Sequence, residues 1–391
     1  MAPGKNPHVS LDSAVRLLTS TMRDPMKASV CATRVGLAAD RIEQELEEFS
    51  NAAKTKFAKS HPELLRVGIK FLTFPQHPSD FVAMINHMTL CRCDFGQTGM
   101  RNLHKPTGSR RQVNGQGEVD RIVLIFDAVT TISNCLILAL GDLTQHKFRN
   151  ATATGEQNWP QGPDDLLPYG PKDSLIGLER WVASRPFGYI IFKLAGSLAT
   201  FYVPFAQEVF RSPNLTFPLL RPIEHLESAV DFYDQGDSSS VAKTHFFTLP
   251  VRAIFTFFDN LVKHDTALFN QMILARGSWI SPILARLTTI LATLPMEWSY
   301  TRTFVQHMNV FATAKIDPVT GVATMVMERK DFTEINSFDQ LKHAFDQMTI
   351  ARKMGCLNIA CPSAAENIHS RLCSKCNLIR FCGEKVSILS L

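Results

Sequence analysis

Residues 122–140 read Ile122-Val-Leu-Ile-Phe-Asp127-Ala-Val-Thr-Thr-Ile-Ser133-Asn134-Cys135-Leu-Ile-Leu-Ala-Leu140. The run is apolar on every side, broken only by Asp127, Ser133 and Asn134 and by two threonines. A helix that is hydrophobic all round is either a membrane span or the centre of a large helical core. A mid-span aspartate is costly in hydrocarbon, so the run is expected to be a buried core helix. Gly188–Phe205 has the same character and is interrupted by Lys193 and Pro204. Two such helices need amphipathic helices to cover them, and the chain supplies these.

Ile42, Leu46, Phe49, Ala53 and Phe57 recur at three- and four-residue steps, with Asp40, Glu43, Glu45, Glu47 and Glu48 between them. That pattern predicts one amphipathic helix with a solvated acidic face. Pro222 opens a second helix, striped by Ile223, Leu226, Val230 and Tyr233 and closed by Gly236. A capping box, Ser337-x-x-Gln340, opens a third, with Phe338, Leu341, Phe345 and Met348 on one face. Further helices are expected near 11–22, 60–73, 79–90, 118–141, 173–185, 188–211, 241–263, 265–275, 278–294 and 299–312. Asp317-Pro-Val-Thr-Gly321 marks a hairpin, with Val322–Met327 as one of its strands. Residues 91–117 and 142–172, rich in Gly and Pro, read as long loops. The fold class is therefore mainly α: an irregular helical bundle or an armadillo-like array.

Composition agrees with a large packed body. The chain has 391 residues, 45% hydrophobic and 20% charged, and 27 Phe against 5 Tyr, which favours deep apolar packing. A net charge of +5 gives little reason to expect nucleic acid as a partner. The basic residues Arg101, His104, Lys105, Arg110 and Arg111 lie in a Gly-rich stretch without interleaved aromatics and read as a solvated loop. Met1–Ser10 has no apolar leader core, and the cysteines before 356 do not resemble a disulfide framework. An intracellular protein without a membrane partner is the expectation.

The cysteines carry the chemistry. Five of the nine fall between 356 and 382: Cys356-x4-Cys361-Pro362, then Cys373-x2-Cys376-x4-Phe381-Cys382. A two-residue spacer lets both sulfurs of Cys373 and Cys376 face one ion, and thiolate is the preferred structural ligand of zinc. Lys375 favours the thiolate form. A short segment with little core is organised by such an ion rather than by burial. Cys91-Arg92-Cys93 has a single-residue spacer, poor for two sulfurs on one tetrahedral ion, and is expected to be loop chemistry only.

The segment Cys356-Leu-Asn-Ile-Ala-Cys361-Pro … Arg371-Leu-Cys373-Ser-Lys-Cys376-Asn-Leu-Ile-Arg-Phe381-Cys382-Gly-Glu-Lys385 resembles the MYND-type zinc finger, in the variant common in fungal proteins. The resemblance implies a small module with two interleaved zinc sites at 353–385, after a helical domain at 1–352. Cys356, Cys361 and Cys382 would serve the first ion and Cys373 and Cys376 the second. Phe381 matches the aromatic that packs between the sites. The family's sixth ligand position holds Val386 here, and its last His and Cys have no counterpart. Val386-Ser387 can be encoded by GTAAGT, a favoured intron start, so 386–391 reads as an atypical tail. The resemblance implies protein–protein binding, with proline-rich segments as partners.

Enzyme signatures are weaker. There is no phosphate-cradling Gly-rich loop, Gly-x-Ser-x-Gly elbow or His-Glu-x-x-His helix. His225-Leu226-Glu227 matches half of a zinc-deaminase pattern, but Leu372 stands where that pattern needs Pro, and His225 is expected on the polar side of its helix. A non-enzymatic adaptor is the first expectation. An enzyme in the helical body, such as a methyltransferase with the finger as accessory, is the alternative.

Overall fold

The computed structural model describes residues 10–27, 31–91, 93, 121–141, 159–184, 187–236, 243–316, 323–324, 371–372 and 380–381. These residues are mainly α-helical. They form fourteen helices, one isolated helical turn at Pro163–Leu166, a few 3-10 and π turns, and two short two-stranded ribbons.

The helices are α1 Leu11–Arg23, α2 Ala32–Glu48, α3 Asn51–Ser60, α4 Pro62–Thr73, α5 Pro78–Thr89, α6 Arg121–Gly141 and α7 Gly170–Val182. They continue as α8 Ile190–Phe201, α9 Val203–Phe210, α10 Arg221–Asp234, α11 Leu249–His264, α12 Thr266–Ala275, α13 Gly277–Ala292 and α14 Ser299–Ala312. Residues 1–272 with 282–305 make one compact unit, and residues 273–281 with 306–391 make another.

In the first unit the apolar run of residues 122–140 is α6, and it is the hub. Helices α2, α3, α4, α5 and α8 all pack against it. Leu124, Ile125, Val129, Ile132, Cys135 and Leu136 are all but inaccessible to solvent. Among the described residues α6 alone is long and apolar enough to cross a bilayer, and 61% of its most apolar window is buried in the fold. Close approach to α6 is built from small residues. A Cβ on Gly68 of α4 would stand 2.6 Å from Cγ2 of Ile132, and one on Gly36 of α2 would stand 2.8 Å from Cδ2 of Leu124.

Another close approach is Gly177 of α7, whose Cβ would fall 2.3 Å from the carbonyl carbon of Thr73. Thr73 is fully buried and its hydroxyl donates to the Ile69 carbonyl at 2.6 Å, so this backbone has no room to retreat. Gly177→Ala is expected to destabilise the chain by about 1–3 kcal/mol in urea titration, the overpacking outweighing the roughly 1 kcal/mol that alanine gains in helix propensity.

The abundance of Phe translates into a continuous aromatic core. Phe192 of α8 meets Phe217 at 5.8 Å and Phe257 of α11 at 5.6 Å, and Phe258 meets Phe269 at 5.6 Å. Trp181, at the end of α7, collects Phe71 at 5.1 Å, Phe81 at 4.8 Å and Phe126 at 5.9 Å, rings from α4, α5 and α6.

Two expected helices are broken. The stripe from Ile42 to Phe57 is shared by α2 and α3, because Phe49 is extended (φ −84°, ψ 146°) and the Ser50 hydroxyl accepts from the Ala53 N–H as a new N-cap. The span 188–211 divides at Tyr202, also extended (φ −129°, ψ 96°), with Pro204 in the first turn of α9. A residue two places before a proline that starts a helix takes the capping role, and the proline ring fits the first turn. The helix opened by Pro222 is found as α10. Gly236 ends it at φ +76°, the left-handed geometry glycine supplies at a helix terminus.

In the second unit, a Cβ on Gly277 would lie 2.2 Å from the Ala312 carbonyl oxygen, so only glycine fits there. The hairpin expected around residues 317–321 is present as antiparallel strands β1 Lys315–Ile316 and β2 Ala323–Thr324. A second antiparallel ladder joins β3 Arg371–Leu372 to β4 Arg380–Phe381. The helix expected after Ser337, the basic stretch at residues 101–111 and most of the two long loops lie outside the described residues.

Candidate functional site: a cysteine triad

Cys31, Cys91 and Cys93 converge, although the single-residue spacer of the last two pointed to loop chemistry only. Their sulfurs lie within 4.8 Å of one another, a spacing at which one metal ion could be held. None of the three forms a disulfide. Each side chain arrives by a simple local route. Cys31 is the N-cap of α2; its backbone is extended (φ −145°, ψ 126°) and its carbonyl accepts from the Val35 N–H at 3.0 Å. Cys91 follows Leu90, the extended C-cap of α5 (φ −67°, ψ 138°). Cys93 lies two residues further on, and its sulfur stands beside those of Cys91 and Cys31. A single-residue spacer is a poor chelate by itself; it becomes usable when a third sulfur comes from a distant segment.

The two segments are held together independently of the cysteines. The Nε2–H of His87, in the last turn of α5, donates to the Lys27 carbonyl at 3.0 Å. Arg121, at the start of α6, donates through Nη1 to the Thr89 carbonyl at 3.4 Å and places its charge near Cys91. Burial alone would raise the Cys91 thiol. Hydrogen bonds from the Cys93 backbone and from the Cys93 and Cys31 thiols, with the Arg121 charge, bring it below its ordinary value. Burial, together with the charge and hydrogen bonds of Cys31 and Cys91, pushes Cys93 up to about 12. The hydrogen bonds and the Arg121 charge thus favour ionisation at Cys91 over Cys93. Cys31 is buried, whereas Cys91 and Cys93 are half-exposed, so the site opens to solvent on one side.

The other chemically suggestive residues are accounted for by packing. Cys135 is fully buried in α6, and burial pushes its thiol up to about 12, the state of an inert core cysteine. His225, expected on the polar side of its helix, is instead buried at 2% exposure. It belongs to the row Pro222–His225–Ala229, adjacent to the apolar stripe, and its Nε2–H donates to the Val182 carbonyl at 2.7 Å. That bond, and its edge-on contact with Phe192 at 5.4 Å, make it a core histidine. Lys193 of α8 is partly buried, and desolvation lowers its ammonium below the ordinary range.

Of the five C-terminal cysteines, Cys356, Cys361, Cys373, Cys376 and Cys382 all lie outside the described residues. The backbone around them is described at two places. The β3–β4 ladder pairs Leu372 with Arg380 and Arg371 with Phe381. The Cys373-x2-Cys376 pair therefore falls in the sequence joining two paired strands, and Cys382 directly follows the second strand.

No family model matches the chain, and no curated protein or solved structure is similar to it at a significant level. The fold and the triad define a mainly α-helical protein with a thiol site able to hold a metal ion, and its function rests on its own residues.

Proposed function

We propose that this chain is a zinc-binding protein-interaction adaptor, in which a helical scaffold carries a MYND-type finger near its C-terminus. The observation that supports this reading is the β3–β4 ladder. A Cys-x-x-Cys pair in the turn of a two-stranded ribbon is a standard way of presenting two thiolates to one zinc ion, because the ribbon fixes the turn and the short spacer brings the sulfurs together. Cys373 and Cys376 occupy that place by sequence, and Phe381, in β4, precedes Cys382 as the resemblance requires. Cys356, Cys361 and Cys382 form the companion ligand set.

In this reading the partner is a short proline-rich segment. Such a segment is already extended, so it loses little entropy on docking and can pair its backbone with an exposed strand edge. A two-stranded ribbon such as β3–β4 offers edges of that kind. The test is fluorescence anisotropy with a labelled library of proline-rich peptides on the full chain. Saturable binding is expected that disappears on chelation and in the variant Cys373→Ser, Cys376→Ser. Binding that survives both treatments, or no peptide binding by zinc-loaded chain, overturns the adaptor reading.

A further inference from the structure

We propose that Cys31, Cys91 and Cys93 bind a zinc ion of their own, which staples the chain entering α2 to the C-terminal end of α5. The argument starts from spacing. Thiolates around tetrahedral zinc sit about 2.3 Å from the metal, which puts neighbouring sulfurs roughly 3.7 Å apart. The triad, with every pair inside 4.8 Å, reaches that geometry by shifts of about 1 Å or less, within what side-chain rotation supplies.

Charge points to a divalent ion. Three thiolates around a divalent cation leave a single negative charge, and around a monovalent one they leave two. Two positive features are at hand to offset it: the N-terminal end of α2, whose N-cap is Cys31, and the guanidinium of Arg121. Soft sulfur ligands select zinc over magnesium, calcium or manganese. The fourth position falls to water, as in zinc sites with three protein ligands.

The site also has a structural task. The segment between α1 and α2 and the end of α5 are joined by the His87–Lys27 hydrogen bond, across 60 residues of chain. That bond is partly exposed and by itself contributes little. A metal bridging Cys31 to Cys91 and Cys93 would cross-link the same two segments. It would also anchor the chain where it leaves α5.

The test uses the full chain with Cys356, Cys361, Cys373, Cys376 and Cys382 each replaced by Ser, which removes the finger's thiols and leaves only the triad and the core cysteine Cys135. Purified under reducing conditions, it is expected to retain one zinc ion by elemental analysis. Cobalt exchange should give the thiolate-to-cobalt charge-transfer bands and intense ligand-field bands of a tetrahedral site. X-ray absorption at the zinc edge should show sulfur near 2.3 Å as the main neighbour. Adding Cys91→Ser and Cys93→Ser should take the zinc content from one ion per chain to none, and X-ray absorption covers the case in which that variant does not fold. A folded tail variant without zinc and without the cobalt bands overturns the proposal, as does a disulfide within the triad in the reduced preparation. The finger is read separately. If the unmodified chain holds no more zinc than the tail variant, the finger reading fails while the triad stands.

Discussion

Trp181→Ala is expected to lower the stability of the chain by about 3–5 kcal/mol, the range for removing a large aromatic from a packed core. The figure belongs at the upper end because of where the indole sits. Trp181 is 1% exposed and touches Phe71, Phe81 and Phe126, one ring from each of α4, α5 and α6. Two of these contacts are edge-on, the arrangement that adds roughly 0.5–1.5 kcal/mol beyond burial. The cavity cannot collapse easily, since Gly177 and Thr73 already hold α7 against the end of α4 at backbone contact. Whole domains are stable by only about 5–15 kcal/mol, so the loss is a large fraction of the total. Urea titration followed by circular dichroism measures it, with Trp181→Phe as the milder control. A loss under about 1 kcal/mol would mean that α7 is not seated on α4, α5 and α6 as the structure has it.

The fold class was legible because α6 announces itself: no polar face exists between Ile122 and Leu140, and only a surrounding layer of helices can cover such a rod. The helix opened by Pro222 was equally readable from its proline, its stripe and its closing glycine, and the helices expected at 11–22 and 299–312 lie where they were placed. The break at Phe49 was not, since the apolar period runs on unchanged from Leu46 to Phe57. Only the capping bond of Ser50 separates α2 from α3. The break at Tyr202 did leave a signal in Pro204, which fits a helix start better than a helix interior. His225 was misplaced because periodicity locates the centre of an apolar stripe and not its width.

The cysteine triad shows the limit more sharply. Motif reading finds ligands that are close in sequence, as in Cys373-x2-Cys376. Cys31 and the Cys91–Cys93 pair are joined by tertiary structure, the packing of the helices and the His87–Lys27 hydrogen bond, and no local pattern marks Cys31 as a partner. What the sequence did carry was a clue by chemistry: two cysteines one residue apart, in a segment that also holds Asp94 and His104. Weighing a weak chelate as half of a site, rather than as a whole one, would have kept it under consideration.

Disrupting the finger is expected to have the largest effect of any change, yet to spare the helical body. On the proposed reading, residues 353–385 are organised by metal; an intact structural zinc site supplies on the order of 10 kcal/mol of folding free energy to a segment with little core, and less is expected here because Val386 stands at a ligand position. Cys373→Ser with Cys376→Ser removes the ligand pair that spans the β3–β4 turn. The ribbon would keep only its two-residue ladder, and a hairpin of that size is not stable alone in water. Hydrogen exchange should therefore show residues 371–381 going from protected to fully exchanging, with proteolytic cleavage appearing in the same stretch. The helices around α6 share no ligand with that site, so their melting should shift by less than about 0.5 kcal/mol, the behaviour of independent regions. Chelation of the unmodified chain should unfold the ribbon in the same way, and would also loosen the segment before α2 if the triad holds its ion. Ribbon protection unchanged by both treatments would show that burial, not metal, holds β3 against β4. A helical body that melts together with the ribbon would show the two to be one cooperative structure.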